Sequence, residues 1–251
     1  DDVGAPLAPA FLRRWPTLAD VQRARPRTLR AFYHAHGVRA AERIDERLAL
    51  VRAGAALTTD AAVLAVHPLQ VRIALEQLAV LHRALTEHDQ RIRTLFVQQA
   101  DADLFASFPG AGEKLAPRLA VAFGDDRSRY PKLQALQQYS GIAPVREQSG
   151  QSCWTHWRWS CPKFLRQSFH EFAGCSIPEC RWAKAYYQQQ RERGRSHHQA
   201  VRALACKWQR VLFRCWHNHE PYDDARYVAA LRKRGSPLAA RIDALAAAQA
   251  A

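Results

Sequence analysis

Apolar side chains recur at alternating spacings of three and four residues over one long stretch of the sequence. The series is Val71, Ala74, Leu78, Leu81, Leu85, His88, Ile92 and Leu95. Such spacing places the members on one face of an α-helix and is typical of a heptad seam. The stretch predicts a long helix within residues 58–103. It is either a coiled-coil segment that pairs chains or an amphipathic helix packed in its own domain.

Short helices are predicted before this long one, because capping and stop signals are closely spaced there. Thr17, followed by Asp20 three positions later, has the pattern of a helix start. A second helix is expected to end at Gly37, and a third is expected over about 39–52. Residues 1–57 are therefore predicted to form a connecting region of short helices.

The chain changes character after residue 103. Phe108-Pro109-Gly110-Ala111-Gly112 has the form of a turn between two helices, and a helix-hairpin-helix of this kind directs backbone N–H groups at phosphate. Alternation in 145–148 and 153–159 predicts two strands around Ser149-Gly150. Helices return after Pro162, one of them with Ser196 as N-cap. The fold class is thus mainly α with a short β-hairpin; its main domain spans 104–218 and a C-terminal tail spans 219–251.

Positive charge is concentrated in one part of the chain. Between Arg127 and Asn218 there are sixteen basic and four acidic side chains, which accounts for +12 of the net charge of +14. Six of the seven tryptophans lie in the same segment. Arginine with aromatic rings can clamp phosphates and stack on bases, so the segment predicts nucleic-acid binding. The alternative for any single arginine is a solvated basic face over an aromatic core.

Several classes of protein are disfavoured. No uninterrupted run of about 18 apolar residues occurs, so we expect neither a membrane span nor membrane partners, and we expect the cytoplasm as location. The complete lack of methionine leads us to expect a piece of a longer protein.

The six cysteines include no Cys-x-x-Cys pair, which disfavours both disulfides and structural zinc. We expect the thiols to act as small apolar core residues. No metal or cofactor is expected within the chain itself.

Five motifs in order resemble one known family. They are the Phe-Pro-Gly-x-Gly hairpin, Phe123-Gly124-Asp125, the segment 136–144 (LQQYSGIAP), Gln148-Ser149-Gly150 and the basic helix start Lys163-Phe164-Leu165-Arg166. This order is similar to the C-terminal transposase domain of the insertion-sequence one-ten family, the serine-dependent transposases guided by a bridge RNA. The resemblance is densest over 105–182, and the preceding helices resemble the family's connecting region with its coiled coil.

The resemblance implies a mechanism and a set of partners. It places the nucleophilic serine at Ser149, for attack on a DNA phosphodiester. The cations best placed in sequence to help are Arg146, Arg158, Lys163 and Arg166. Further expected nucleic-acid contacts are Gly110, Gly112, Lys114, His156 and Arg195.

In this family an acidic RuvC-like domain, which we expect to be missing from the chain, holds Mg²⁺. The chain alone is therefore expected to be inactive. DNA, a structured guide RNA and a homo-oligomer, either a dimer or a tetramer, are the implied partners. The implied location is the bacterial cytoplasm.

Without the resemblance, Ser149-Gly150 is only a hairpin turn. A non-catalytic nucleic-acid-binding module, which uses the helix-hairpin-helix and a basic aromatic surface, is then the alternative. A helical oligomerisation scaffold is a third hypothesis. Ser140 is interpreted as a helix-end residue with no part in chemistry.

Overall fold

The computed structural model describes residues 6–250 and the burial of side chains in residues 6–247. Over this range the chain forms thirteen α-helices, one short 3₁₀ helix and one β-hairpin. The predicted mainly α class with a short hairpin is confirmed. The chain divides into two compact units, Asp1–His88 (unit 1) and Asp89–Ala251 (unit 2).

Unit 1 begins with short helices joined by tight turns, as predicted. Thr17 and Asp20 form a reciprocal capping box that starts the second helix. Gly37 follows the third helix with a positive φ of 81°. An aromatic cluster that includes Trp15, Phe32 and Tyr33 forms the core. The helices are α1 (Leu7–Arg14), α2 (Leu18–Arg23), α3 (Pro26–Ala35) and α4 (Ala41–Ala53).

The long helix α5 (Ala61–Val97) has 37 residues and confirms the predicted long helix. Within the described part of the chain, its heptad face is half-buried at Val71 and Leu78 and exposed from Leu81 onward. Leu81, Leu85, Ile92 and Leu95 are 48–61% exposed, and His88, expected at a core-like position, is exposed as well. The interpretation of the seam as an amphipathic helix packed in its own domain is therefore wrong for the part from Leu81 to Leu95.

By length and composition alone, α5 is also long and apolar enough to cross a membrane. One such helix is weak evidence for a membrane segment. The expectation of no membrane span relied on the lack of an uninterrupted apolar run, and charged residues such as Arg72 and Glu76 do interrupt α5.

Unit 2 packs its helices around one hydrophobic core that contains Phe105, Leu119, Phe169 and Leu204. The predicted cap at Ser196 is present, because its hydroxyl accepts the Gln199 N–H and Gln199 reciprocates. The helices are α6 (Ala102–Ala106), α7 (Gly112–Phe123), α8 (Leu133–Tyr139), α9 (Lys163–Glu179), α10 (Arg181–Glu192), α11 (His197–Asn218), α12 (Asp224–Lys233) and α13 (Pro237–Ala250), with a 3₁₀ helix at Arg127–Arg129.

The six tryptophans of the basic segment divide into two groups of three. Trp182, Trp208 and Trp216 have no exposed surface and form the centre of the unit 2 core. Their indole N–H groups donate to the Tyr222 hydroxyl, the Ser176 hydroxyl and the Gly124 carbonyl, respectively. Trp154, Trp157 and Trp159 are 40–79% exposed. The aromatic-core alternative is therefore correct for the first group only.

Residues 219–251 had been predicted to form a tail, but α12 and α13 belong to unit 2. Val228, Leu231, Leu238 and Ile242 are buried in the same core as the tryptophans. Tyr222 fixes the start of this segment: its backbone N–H donates to the Ser107 hydroxyl and its own hydroxyl to Asp224. These helices therefore complete the core.

The β-hairpin consists of β1 (Val145–Ser149) and β2 (Ser152–His156). The second strand had been predicted to reach Trp159, but it ends at His156. In the observed register Val145 pairs with His156, so the next pair would be Pro144 with Trp157. Because proline has no N–H to donate, the ladder stops there.

All six cysteines are free thiols. Cys180 is buried, and burial raises the pKa of its thiol to about 12. Cys153 and Cys175 are exposed, so the expectation that the cysteines are core residues is wrong for these two.

Candidate functional site

Ser149 is the last residue of β1, at the tip of the hairpin. It pairs with Ser152, and Gly150 and Gln151 form the two-residue turn between them. Gly150 has a φ of 57°, a conformation that favours glycine and matches tight hairpin turns. The Ser149 side chain is exposed and has no hydrogen-bond partner among the residues that the structure describes. Its hydroxyl is therefore open to an external group.

The hairpin face that carries Ser149 also carries a hydrogen-bonded cluster. Side chains alternate along a strand, so Ser149 shares its face with Glu147 and with their cross-strand partners. The Trp154 indole N–H donates to one Glu147 oxygen at 2.9 Å, and His156 Nε2 lies 2.6 Å from the other. His156 Nδ1 lies 2.8 Å from the Trp157 carbonyl oxygen. We name Glu147, Trp154 and His156 the hairpin clamp.

The clamp shifts the pKa values of Glu147 and His156. The hydrogen bond to Glu147 raises the pKa of His156, with the Trp157 carbonyl acting in the same direction. The hydrogen bond from His156 lowers the pKa of Glu147. His156, predicted to contact nucleic acid, thus has both ring nitrogens engaged within the chain.

Arg146 lies on the opposite face of the hairpin from Ser149, since it is the residue between Val145 and Glu147 on the strand. Its guanidinium donates from Nε to the Cys153 thiol at 2.9 Å. The hairpin thus does not bring Arg146, predicted from sequence proximity to assist Ser149, onto the serine face.

Cations and an exposed indole meet where the chain returns to α9. The guanidinium of Arg202 from α11 lies directly over the Trp157 ring, and that of Arg166 from α9 lies 5.8 Å from its centre. Burial, and secondarily Arg166, lowers the pKa of Arg202 to about 10. We name Trp157, Arg166 and Arg202 the Trp157 platform, which combines a stacking surface with positive charge.

The two other predicted cations of this region differ in accessibility. Lys163 is exposed at the first position of α9. Arg158 is half-buried, and its Nε atom is buried with no hydrogen-bond partner within the described part of the chain. Arg195 is exposed in the short connection between α10 and α11.

The predicted helix-hairpin-helix corresponds to α6, the turn at Pro109–Ala111 and α7. Gly110 has a φ of 80°, and a Cβ atom placed on it would lie 2.6 Å from the backbone carbonyl oxygen of Cys175 in α9. Gly112, with a φ of 53°, has open space around the same position. Lys114 is exposed and lies 3.5 Å from the carboxylate of Asp89. Gly110 is therefore required for packing, and Gly112 is the accessible glycine.

No cluster of three or more His, Cys, Asp or Glu side chains that could hold a metal ion occurs in the described residues.

Not every arginine of the basic segment is available to a ligand. Arg127 is half-buried and bonded to Asp101 at 2.7 Å, and it stacks on the buried Trp216.

The segment that contains the β-hairpin and α9 matches a known family. The model of the transposase IS116/IS110/IS902 family matches residues 102–188. This segment is similar to the transposase domain of that family. The matched range includes Ser149, the hairpin clamp and two members of the Trp157 platform, whereas Arg202 and Arg195 lie beyond it.

Proteins of known insertion elements are similar to more than half of this chain. The mini-circle putative transposase for IS117 of Streptomyces coelicolor is 30% identical over 162 residues, which is 64% of this chain and 39% of the relative. A 42 kDa protein of the insertion element IS900 of Mycobacterium paratuberculosis is 29% identical over 63% of this chain and 40% of its own length. The chain thus spans about two fifths of the length of these relatives.

Sequence reasoning missed the clamp and the platform for different reasons. Glu147 and His156 are only nine positions apart. Strict alternation of side chains about the Ser149–Gly150 turn places both on one face of the hairpin, so a local pattern did indicate the clamp. Trp157 and Arg202 are 45 positions apart. No local pattern indicates a contact of that kind, because it depends on how α9 and α11 pack.

Proposed function

We propose that this chain supplies the nucleophile of a DNA transposase, with Ser149 attacking a DNA phosphodiester during RNA-guided transposition. The observation that supports this most is the position of Ser149. It lies exposed at a hairpin tip inside the matched transposase segment, and its hydroxyl is not engaged by another described residue. A nucleophile that must reach a phosphate within a polymer requires such access.

In the proposed step, the serine Oγ forms a bond to phosphorus while the bond from phosphorus to one deoxyribose oxygen breaks. The serine proton leaves to a base, and the released deoxyribose oxygen takes up a proton. The phosphoserine ester conserves the bond energy, so a later hydroxyl can reverse the exchange and reseal DNA. The platform cations and Lys163 would bind phosphate groups of the substrate and offset their negative charge.

The described residues of this chain do not fit a Mg²⁺ site, because their acidic side chains form no cluster of three. In our proposal Mg²⁺ belongs to the acidic domain that the resemblance implies.

Nucleic acid is the partner that the charge distribution supports, and the bacterial cytoplasm is the proposed location. Sixteen basic side chains in residues 127–218 favour the phosphate backbone of DNA and of a structured guide RNA. The Trp157 platform adds a ring surface beside two guanidinium groups. We expect the affinity to fall by orders of magnitude between about 50 and 200 mM salt.

The test is capture of a covalent adduct by the complete transposase. We expect Ser149→Ala to abolish the adduct while leaving nucleic-acid binding nearly unchanged, because one hydroxyl adds little to a contact made by many cations. The matched control is Ser152→Ala, since Ser152 is the exposed cross-strand partner of Ser149. A phosphate mass on the Ser149 peptide after digestion supports the mechanism. Cleaved DNA without an adduct would contradict it.

A second candidate is a non-catalytic nucleic-acid-binding module. One observation favours it: no acidic or histidine side chain in the described residues contacts the Ser149 hydroxyl. Under this hypothesis the parent protein, Ser149→Ala and Ser152→Ala all bind nucleic acid equally well. None of the three forms a covalent adduct.

The exposed seam of α5 supports an oligomer, dimer or tetramer, as part of the proposal. Four aliphatic side chains at heptad spacing face solvent within the chain, which is costly unless a partner covers them. Replacing Leu81 and Leu85 with glutamate should produce monomers in analytical ultracentrifugation. An unmodified chain that is already monomeric at high concentration would contradict the oligomer.

A further inference from the structure

Unit 1 contains a local cluster of positive charge, although most of the net charge of the chain lies in residues 127–218. Six arginines and one aspartate occur between residues 13 and 30. Asp20 is engaged in the capping box with Thr17, and Arg30 is bonded to Asp45 at 2.7 Å. The other five arginines have no carboxylate partner among the residues that the structure describes; they are Arg13, Arg14, Arg23, Arg25 and Arg27, all exposed.

Two of these arginines line an open groove of about 360 Å³ between the end of α1 and one face of α3. Besides Arg14 and Arg27, its lining includes His36 and the small side chains of Ala31 and Ala35. Arg14 stacks on Trp15, with its guanidinium carbon 4.8 Å from the ring centre. None of the described residues that line the groove is acidic.

We propose that this groove of unit 1 binds the phosphate backbone of a nucleic acid. A run of guanidinium groups without a carboxylate partner among the described residues complements phosphates, because each guanidinium can bind two phosphate oxygens in a planar fork. The small side chains leave room for a backbone to lie along α3. Unit 1 is then a second anchor for nucleic acid and not only a connecting region.

The test compares salt dependence of binding for two double variants of the whole chain. Arg14→Gln with Arg27→Gln should reduce the slope of log affinity against log salt by about 1–2, since each lost phosphate contact contributes about 0.9. The control is Arg226→Gln with Arg232→Gln, two exposed arginines bonded to Glu220 and Asp243. The control should leave the slope unchanged.

Duplex DNA and a structured RNA serve as two separate probes and identify which nucleic acid occupies the groove. A reduced slope with either probe supports the proposal. An unchanged slope with both probes overturns it. Because all four arginines are exposed, the thermal unfolding midpoint should stay the same, and this measurement excludes misfolding as the cause.

A separate observation concerns the protonation state of the hairpin clamp. Both ring nitrogens of His156 face acceptors, the Glu147 carboxylate and the Trp157 carbonyl. A neutral imidazole has only one N–H, so both hydrogen bonds require the doubly protonated ring. The clamp links the strands of a hairpin in which no side chain is buried.

We infer that Glu147 and His156 are positioning residues for Ser149, because with Trp154 they hold the register of the hairpin that carries it. This inference rests on the proposed function. The charged groups that act on His156 are Glu147 from β1 and Arg158 from its own segment, and Arg158 opposes the protonated form. While Glu147 is ionised, clamp formation stabilises the hairpin fully below the ordinary pKa of histidine, and the stabilisation is lost as pH rises through the raised pKa of His156.

The clamp can be tested without catalysis by NMR titration of the whole chain. The His156 ring should titrate above the ordinary histidine value, and the Trp154 indole N–H signal should change over the same pH range. Glu147→Gln should return the His156 titration toward the ordinary value, whereas His34→Gln, in unit 1, should leave it unchanged. An ordinary titration in the parent chain overturns the clamp.

The rate of adduct formation then tests positioning. His156→Gln should lower the rate of adduct formation several-fold. The rate should also no longer change over the pH range in which His156 titrates in the parent protein. If His156 titrates as expected but the rate of adduct formation does not change with its protonation, the positioning role is wrong. If no adduct forms at all, the proposed function fails while the clamp stands.

Discussion

The helical core of unit 2 and the segment from Val145 to Trp159 use the same residue type in opposite ways. Three tryptophans in the core are completely buried, and each indole N–H has an internal acceptor. Three in the hairpin segment are exposed; Trp154 belongs to the clamp and Trp157 to the platform. A basic stretch rich in tryptophan can therefore be both the structural centre of a domain and its contact surface. The difference lies in which residues the helices cover.

The largest expected effect comes from removing a core indole. Trp208→Ala should destabilise the chain by about 3–5 kcal/mol, because it leaves a cavity beside Trp182 and Phe172 and the Ser176 hydroxyl without its donor. The measurement is the free energy of unfolding in urea. A loss below about 1 kcal/mol would contradict the division into core and surface tryptophans.

The next effect separates the two glycines of the predicted helix-hairpin-helix. Gly110→Ala should cost about 2–4 kcal/mol, from strain at positive φ and from the clash with the α9 backbone. Gly112→Ala has open space and should cost only the strain, about 1 kcal/mol. Denaturant midpoints of both variants give the comparison. Equal losses of unfolding free energy would mean that the α9 backbone does not pack against the turn at Gly110.

A smaller effect concerns two serines of the same domain. Ser140 is fully buried and accepts a hydrogen bond from Gln209 at 2.8 Å. Ser140→Ala should cost about 1–3 kcal/mol, because the Gln209 amide loses its partner. Ser149→Ala should be neutral in the same unfolding experiment, since its hydroxyl has no partner among described residues. A neutral Ser140→Ala would show that Gln209 finds another acceptor.

The smallest effect on stability is expected at the most exposed tryptophan. Trp159 is 79% exposed, so Trp159→Ala should change the free energy of unfolding by no more than about 0.5 kcal/mol. If the ring stacks on a base, affinity for single-stranded nucleic acid should fall by about 1–3 kcal/mol, measured by fluorescence anisotropy. Unchanged affinity would remove Trp159 from the contact surface.

Local signals predicted much of the fold. The caps at Thr17 and Ser196, the end at Gly37 and the hairpin turn at Gly150 all depend on neighbours within a few residues, and all are confirmed. The Trp157 platform of the candidate site depends on contacts of another kind. Trp157 meets Arg202 across 45 positions. Such pairs follow from packing of α8 and α9 on α11, which no local pattern encodes.

The position of α12 and α13 in the core has a consequence for folding during synthesis. Trp182 contacts Tyr222 and Tyr227, and the core closes only with Leu238 and Ile242. A growing chain cannot complete this core until Ile242 has left the ribosome, although Ser149 emerged about ninety residues earlier. A chain that ends before Ile242 therefore lacks part of the packing that buries this core, and we expect it to be less stable than the whole chain.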